Sequence, residues 1–278
     1  MIEFLTNSWF IFFLLIIAAA VLAGFLAGMF GIGGGAVMVP VFSEVFVLAG
    51  SEPAMAQFVA VGTSLAVIIP TSIRSATTHY DKGNMDQATV RKYLWFVPLG
   101  VILGLMFANL SWVKETNVLA AVFGVTALLL GLYMLAQAKE FRLSQGGPKT
   151  PIAQIGATVM GFVSLLMGIG GGVMNNIFMM VQGTPIKRAI GTSAAVGTLI
   201  AIPGAIGFAI IGFNETGQPP FTIGYVNWLT FLLVIPITTA LAPVGARVVH
   251  RLPDRLTSRL FAIFLLIVSA RMLWKVFL

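Results

Sequence analysis

The chain has 278 residues, of which 58% are hydrophobic and only 9% are charged, and its mean hydropathy is +0.99. This composition excludes a water-soluble globular protein and is typical of an integral membrane protein. The absence of cysteine excludes disulfides, thiolate metal sites and cysteine nucleophiles. The formal net charge is +7, but most basic residues lie between hydrophobic runs, so we interpret them as topology signals and predict no nucleic-acid partner.

Long charge-poor runs follow one another along the chain, and such unbroken runs fit helices rather than barrel strands. The run after residues 1–8 is too long for a signal-peptide core, so we expect it to be retained. The first half is predicted to hold five segments, at 9–30, 36–50, 54–78, 93–110 and 116–137. The second half is predicted to hold five more, at 151–167, 173–183, 188–213, 222–247 and 256–277. The second member of each set falls below the roughly 20 residues needed to span a bilayer, which predicts a re-entrant hairpin or a half-helix.

The chain is predicted to contain an internal duplication. A linker at 139–150, rich in Gly, Pro and charged residues, separates two repeats, 1–138 and 151–278. The pentapeptide Gly-Ile-Gly-Gly-Gly occurs once in each repeat, at 31–35 and at 168–172, and we call these two segments the glycine boxes. The tripeptide Gly-Thr-Ser also occurs once in each repeat, near the start of the third segment. Because both motifs recur in the same order, duplication explains them better than chance.

The distribution of Lys and Arg predicts the orientation in the membrane. The connections rich in basic residues, which we place in the cytoplasm, are 79–92, 138–150, 184–188 and 247–259. The opposite connections, 50–53, 111–115 and 214–221, contain one basic residue, Lys114. This assignment puts both termini outside and gives each half an odd number of crossings. The predicted fold is therefore an all-α membrane protein with two inverted repeats of about five segments, each with a glycine-broken or re-entrant helix pair.

The glycine boxes predict a substrate site, because glycine-dense breaks at corresponding points of two halves are typical of interrupted helices around a ligand. Glycine readily adopts positive φ, and the N–H groups that open the following helix lack intrahelical acceptors, so such a terminus attracts anions. The predicted anion-site glycines are Gly33, Gly34, Gly35, Gly170, Gly171 and Gly172. The alternative is that these glycines serve close helix packing.

Hydroxyl and amide side chains near the boxes can also donate hydrogen bonds to an oxyanion. The hydroxyl candidates are Thr63, Ser64, Thr192 and Ser193. We expect these paired motifs to face each other across the pseudo-twofold axis; the alternative is that the hydroxyls bond to the preceding helical turn. Asn175 and Asn176 follow the second box, whereas Met38 and Val39 hold the same positions after the first. The predicted site is therefore asymmetric.

Three charged or titratable residues are candidates for gating or coupling. Arg74 can pair with substrate or gate the cytoplasmic mouth, but snorkelling to the interface is the favoured interpretation. Glu44 is the best-placed carboxylate for proton coupling, although a position at the outer surface near Glu52 is favoured. His79 can relay protons, but its polar surroundings predict a cytoplasmic turn. Arg271 is expected to snorkel outward.

Taken together, the doubled glycine box, the doubled Gly-Thr-Ser motif and the sequence His-Tyr-Asp-Lys-Gly-Asn at 79–84 resemble the TauE/SafE sulfite exporter family over almost the whole chain. The resemblance implies a bacterial inner-membrane permease for small sulfur-containing oxyanions. Members that resemble this chain are associated with export or uptake of sulfite, sulfoacetate and other organosulfonates. Asp81 departs from the pattern, because similar proteins often carry a basic residue there.

These observations predict a multi-pass transporter of small anions that exports its substrate by alternating access. Export of an anion is assisted by an inside-negative potential by about 2.3 kcal/mol per charge per 100 mV, so it needs no ion coupling. The alternatives are an anion channel, a proton-coupled sulfonate uptake permease and a partner-binding membrane subunit. We predict no enzyme, cofactor or metal site, since no histidine or carboxylate cluster has suitable spacing. A homodimer is compatible with the sequence.

Overall fold

The computed structural model describes residues 2–30, 33–136, 150–249 and 251–277, and almost all of them are helical. The helices of the first half are α1 Ile2–Phe30, α2 Gly35–Leu48, α3 Pro53–Asp81, α4 Gln87–Tyr93, α5 Phe96–Ala108, α6 Ser111–Lys114 and α7 Val118–Ala136. The elements of the second half are α8 Thr150–Met167, α9 Gly172–Val181, α10 Ile186–Ile211, β1 Thr222–Ile223, β2 Val226–Asn227, α11 Trp228–Val249 and α12 Asp254–Phe277. Each of the ten predicted hydrophobic segments therefore contains a helix. Gly31, Ile32, His250 and most of the predicted linker lie outside the described residues, so the division into two domains stays a prediction.

Local sequence explains where several helices begin. Gly34 and Gly171 precede the short helices α2 and α9, with φ of 82° and 67°, a region that glycine occupies without steric cost. Pro53 is the first residue of α3, where its missing N–H group costs nothing. Asp86 caps α4 by accepting hydrogen bonds from the N–H groups of Ala88 and Thr89.

Two segment boundaries differ from the prediction. The fourth segment, expected at 93–110, consists of α4 and α5, which are bent by 42° about a short break. The ninth segment was expected to begin at 222, but residues 222–227 form the β1–β2 hairpin and α11 begins at Trp228. Hydropathy alone does not separate this apolar, β-branched hairpin from a helix, whereas Gly224, with φ of 61° in the turn, does.

Length and composition make six of the described helices able to cross a membrane. The spanning stretches are 13–30, 53–81, 118–136, 187–211, 228–249 and 255–276, and the bent α4–α5 pair would make a seventh. Large apolar side chains are exposed on these helices, among them Leu129, Leu232 and Ile267. In water such surfaces would be costly, so they fit contact with lipid. The protein is thus a multi-pass membrane protein that is almost entirely helical.

The helices pack in a scheme that is unchanged when the two halves are exchanged. The exchange pairs α1 with α8, α2 with α9, α3 with α10, α5 with α11 and α7 with α12. The most extensive contacts are α3 with α10, α7 with α12, α1 with α11, and α5 with α8. The first two map onto themselves, and the last two map onto each other. Glycines permit the close crossings: a side chain at Gly28 would overlap the backbone of Ala242 in α11, and one at Gly161 would overlap Val97 in α5.

Candidate substrate site

The two glycine boxes meet inside the protein. A Cβ at Gly35 would overlap the carbonyl oxygen of Gly168 and lie 2.8 Å from Cα of Ile169. The hydroxyl of Ser64, in α3, donates a hydrogen bond of 2.9 Å to the same Gly168 carbonyl. The breaks in the α1–α2 and α8–α9 helix pairs are therefore in direct contact.

Both short helices begin at this meeting point. The first intrahelical bonds of α2 run from Val37 and Met38 to the Gly34 carbonyl, at 3.0 and 3.1 Å. In α9 the N–H group of Asn175 bonds to Gly171 at 3.0 Å. The earlier N–H groups of each helix lack an intrahelical acceptor, and the positive ends of both helix dipoles lie close together. The arrangement suits an anion, but several box glycines are also tightly packed: Gly171, for example, leaves no room for a Cβ beside Ile200.

The threonines of the Gly-Thr-Ser motifs do not simply face each other. The hydroxyl of Thr63 accepts a hydrogen bond of 2.8 Å from the backbone N–H of Asn227, the residue before α11. Gly62 packs against the carbonyl oxygen of Tyr225, where a Cβ would not fit. The N–H of Tyr225 in turn bonds to the carbonyl of Phe208, in α10, at 3.1 Å. We call the set Gly62, Thr63, Tyr225 and Asn227 the first interlock.

The same arrangement recurs in the other half. The hydroxyl of Thr192 accepts a hydrogen bond of 2.9 Å from the N–H of Asp86, the residue before α4. Gly191 packs against the carbonyl oxygen of Asn84, and the N–H of Asn84 bonds to the carbonyl of His79 at 2.9 Å. We call the set Gly191, Thr192, Asn84 and Asp86 the second interlock. Each interlock joins the third segment of one half to the loop before the fourth segment of the other half.

The interlocks lie near opposite ends of the α3–α10 pair. The first contains Gly62 near the start of α3 and contacts the end of α10 at Phe208. The second contacts the end of α3 at His79, which is about 25 Å from Gly62 at 1.5 Å per helical residue. The helices α3 and α10 therefore run antiparallel. Between the interlocks, Ser72 and Thr198 share a hydrogen bond of 2.9 Å.

The serine and asparagine candidates lie nearer the boxes. Asn175 donates a hydrogen bond of 2.7 Å through Nδ2 to the hydroxyl oxygen of Ser193, and Asn176 donates one of 2.7 Å to the Phe30 carbonyl, just before the first box. The Oδ1 atoms of both asparagines are buried and have no hydrogen-bond partner within the described residues. Ser193 is fully buried and accepts from Asn175, so its own O–H remains available as a donor. The O–H of Ser64 is already used on Gly168.

The prediction of a polar turn around His79 was wrong. Helix α3 continues to Asp81, and His79 is fully buried, with Nε2 3.3 Å from the carbonyl oxygen of Gly28. The polar sequence was misleading because this helix end packs beneath α1 and the second interlock instead of facing water. The turn begins only at Lys82, and Gly83 takes a φ of 68°.

The other charged candidates lie away from the boxes. Arg74 is exposed on α3 beside the exposed Ile73, which agrees with the interfacial interpretation. Glu44, near the end of α2, pairs with Arg271 at 3.0 Å, a partner that we did not anticipate. Lys275, one turn further along α12, donates a hydrogen bond to Ser43.

Charged side chains also mark the two ends of the molecule. Beside the first interlock, a cavity of about 350 Å³ contains an ion pair of 2.7 Å between Lys114 and Glu215. Burial and the charge of Glu215 raise the pKa of Tyr225 in its wall. Beyond the end of α3, burial and the nearby charges of Arg247 and Arg251 lower the pKa of Lys82. This end is thus basic and contains residues from both halves of the chain.

Sequence reasoning missed the loop partners Asn84, Asp86, Tyr225 and Asn227, because they act largely through backbone groups. The available signals were the cap-forming Asp86 and Asn227; the latter accepts a hydrogen bond of 2.9 Å from the N–H of Thr230. Within the described part of the chain, no group of three or more His, Asp or Glu side chains is arranged to hold a metal ion.

The fold and the paired, broken helices define a multi-pass membrane protein of the kind that moves solutes. Comparison with known proteins agrees: the model of the sulfite exporter TauE/SafE family matches residues 16–272. The chain belongs to this family. It is 32% identical to a probable membrane transporter protein of Haemophilus influenzae over 96% of this chain and 100% of that protein.

Two further relatives carry similar names. A probable membrane transporter protein of Methanocaldococcus jannaschii is 30% identical over 81% of this chain and 84% of that protein. The probable membrane transporter protein YunE of Bacillus subtilis is 25% identical over 95% of this chain and 98% of its own length. The names of the family and of these relatives describe transporters, not enzymes. No solved structure matches the chain significantly.

Proposed function

We propose that this protein exports small anions such as sulfite, sulfoacetate or other organosulfonates across the bacterial inner membrane by alternating access. The observation that carries the proposal is the contact between Gly35 and Gly168, which places the N-termini of two short helices at one buried point. Backbone N–H groups and two helix dipoles favour an anion there without a buried cation. The family name supplies the sulfur oxyanion as the first substrate to test.

Ser193 and the box glycines are the proposed substrate ligands. The O–H of Ser193 can donate to a substrate oxygen while Asn175 holds the serine oxygen in place. Ser64 and Asn176 are not proposed as direct ligands, because they already donate hydrogen bonds to the carbonyl groups of Gly168 and Phe30. These hydrogen bonds hold the two helix breaks together. Thr63 and Thr192 are joined to loops of the opposite half, so we place them outside the ligand shell.

The two halves are proposed to be inverted repeats. The exchange symmetry of the helix contacts and the antiparallel α3–α10 pair support this arrangement. The end with Lys82, Arg247 and Arg251 is proposed to face the cytoplasm, as positive loops do, and the end with Glu215 to face outward. Rocking of one repeat against the other would then expose the central site to each side in turn.

No buried carboxylate lies beside the boxes in the described residues, and Glu44 is engaged by Arg271 at the α2–α12 contact. The proposed transport is therefore driven by the membrane potential and the substrate gradient. An inside-negative potential of 100 mV assists the exit of a monovalent anion by about 2.3 kcal/mol, a factor of about 50 at equilibrium.

Purified protein reconstituted in liposomes tests the proposal. Sulfite or sulfoacetate flux should saturate with concentration and should accelerate when a valinomycin potential favours anion movement. The controls are liposomes without protein and proteoliposomes that hold sodium gluconate in place of sulfite or sulfoacetate. Flux that rises linearly with concentration would point to a channel, and flux that ignores the potential but follows a proton gradient would overturn the uncoupled mechanism.

A further inference from the structure

The two interlocks join the halves of the protein at opposite ends of the α3–α10 pair. Each consists of the same three contacts. One loop N–H bonds to a motif threonine of the other half, and a loop carbonyl packs against the motif glycine beside it. A second loop N–H bonds to the end of the third-segment helix of its own half. Both are closed in this structure.

The contacts of an interlock are few and can separate as a unit. Thr63 and Thr192 are fully buried, and each supplies one acceptor to one loop N–H group. The glycine surfaces beside them carry no side chain that would have to be withdrawn. Both loops lead directly into a capped helix, α11 or α4, so a displaced loop would move with that helix as a rigid unit.

The side chains that cover the interlocks differ between the two ends. Phe58, Phe208 and Tyr225 cover the first, with ring centroids 5.0 to 6.1 Å apart. Counted from the paired motifs, Lys187 and His79 correspond to Phe58 and Phe208. Asn84 corresponds to Tyr225 by its contact, because the carbonyl oxygen of each packs against a motif glycine. Aromatic rings therefore pack against the first interlock, whereas the corresponding positions at the second are polar.

We propose that the two interlocks are the two gates of the transport cycle, and that Thr63 and Thr192 are gate residues. The first interlock is the more firmly sealed gate, and the second opens more readily. The proposal rests on the alternating-access function proposed above, but it concerns the movement of the protein and can be tested without a substrate.

The absence of natural cysteine makes a direct test available. Val67 and Val196 occupy corresponding positions, four residues beyond Thr63 and Thr192 and on the same helix face, and both are fully buried. Single variants Val67→Cys and Val196→Cys therefore place a thiol one turn behind each gate. Labelling by a charged methanethiosulfonate reagent in detergent reaches both ends of the molecule and reports which gate is open.

Thr63→Val should accelerate labelling of Val67→Cys about tenfold, the shift expected when a buried N–H loses its acceptor, and should not accelerate labelling of Val196→Cys. Thr192→Val should produce the reverse pattern. In the parent background, Val196→Cys should label faster than Val67→Cys. Thr63→Ser, which keeps the hydroxyl, should restore slow labelling.

Thr230→Val is the matched control, because the buried hydroxyl of Thr230 has no hydrogen-bond partner among the described residues. It should change neither labelling rate. The gate proposal is overturned if both thiols respond equally to either threonine variant, or if neither responds more than to Thr230→Val. Selective labelling in a protein that fails to move sulfite or sulfoacetate would leave the gates standing and reject the proposed substrates.

Discussion

At the residue scale, substitution of the box glycines does not separate substrate binding from helix packing. Gly34 and Gly171 take positive φ and also lack room for a Cβ, since one at Gly34 would lie 2.8 Å from the Ala23 carbonyl oxygen. Alanine at either position would disturb the backbone whether or not substrate binds there. The hydroxyl of Ser193 is a sharper probe, because its removal changes a potential ligand and leaves the box backbone intact.

Ser193→Ala should raise the KM for sulfite about tenfold, because hydrogen bonds to a charged group contribute about 1.5–3 kcal/mol and the substrate would lose one. Liposome flux over a range of substrate concentrations measures this change. Ser269→Ala is the control: Ser269 is also fully buried, and it donates a hydrogen bond of 2.7 Å to Gly124 at the α7–α12 contact, away from the boxes. Ser193 is not a ligand if the two variants share the KM of the parent protein.

At the element scale, the sequence was sufficient for the helices, whereas their grouping into two repeats stays a prediction. Unbroken apolar runs predict helices because the backbone must satisfy itself within a bilayer. The repeated boxes predicted two short helices that begin at glycines. The interlocks could not be predicted, because Thr63 and Thr192 accept hydrogen bonds from backbone N–H groups, which any residue could supply. The loops that donate these hydrogen bonds, 222–227 and 84–86, also differ in length and sequence. His79 was misplaced for a related reason: its burial depends on α1, a distant element.

The two short helices are similar in origin but differently anchored. Glu44 and Ser43 tie α2 to Arg271 and Lys275 of α12. The corresponding residues in α9 are Val181 and Met180, and the residue that corresponds to Arg271 is Tyr133. The ion pair is half-exposed, so it contributes at most about 1 kcal/mol. The α9 helix is therefore expected to be the more mobile of the two.

Hydrogen exchange measured by mass spectrometry tests this difference. Backbone amides in α2 should exchange more slowly than those in α9. Glu44→Gln should accelerate exchange in α2 two- to fivefold, about the free energy of one exposed ion pair, and leave α9 unchanged. Glu52→Gln, which alters an exposed carboxylate outside α2, is the control. Equal protection of the two helices in the parent protein would refute unequal anchoring.

At the scale of the whole molecule, the distribution of charge gives the two ends different character. Lys82, Arg247 and Arg251 lie together at the end that holds the second interlock, whereas Glu215 and its partner Lys114 lie at the end that holds the first. A basic mouth concentrates anions at entry, whereas the paired charges of Lys114 and Glu215 give the other end no such attraction. The charge pattern thus supports outward movement of the proposed substrate, provided that the basic end faces the cytoplasm.

That orientation can be tested with two single cysteines. Thr216, in the loop before β1, and Gln87, at the start of α4, are both exposed. In intact spheroplasts, a membrane-impermeant maleimide should label Thr216→Cys and spare Gln87→Cys until the membrane is lysed, because the loop with fewer positive charges is expected outside. The two interlocks then lie on opposite sides of the membrane, as inverted repeats require. Labelling of both variants before lysis would contradict inverted repeats, and labelling of Gln87→Cys alone would reverse the orientation and, with it, the electrostatic argument for export.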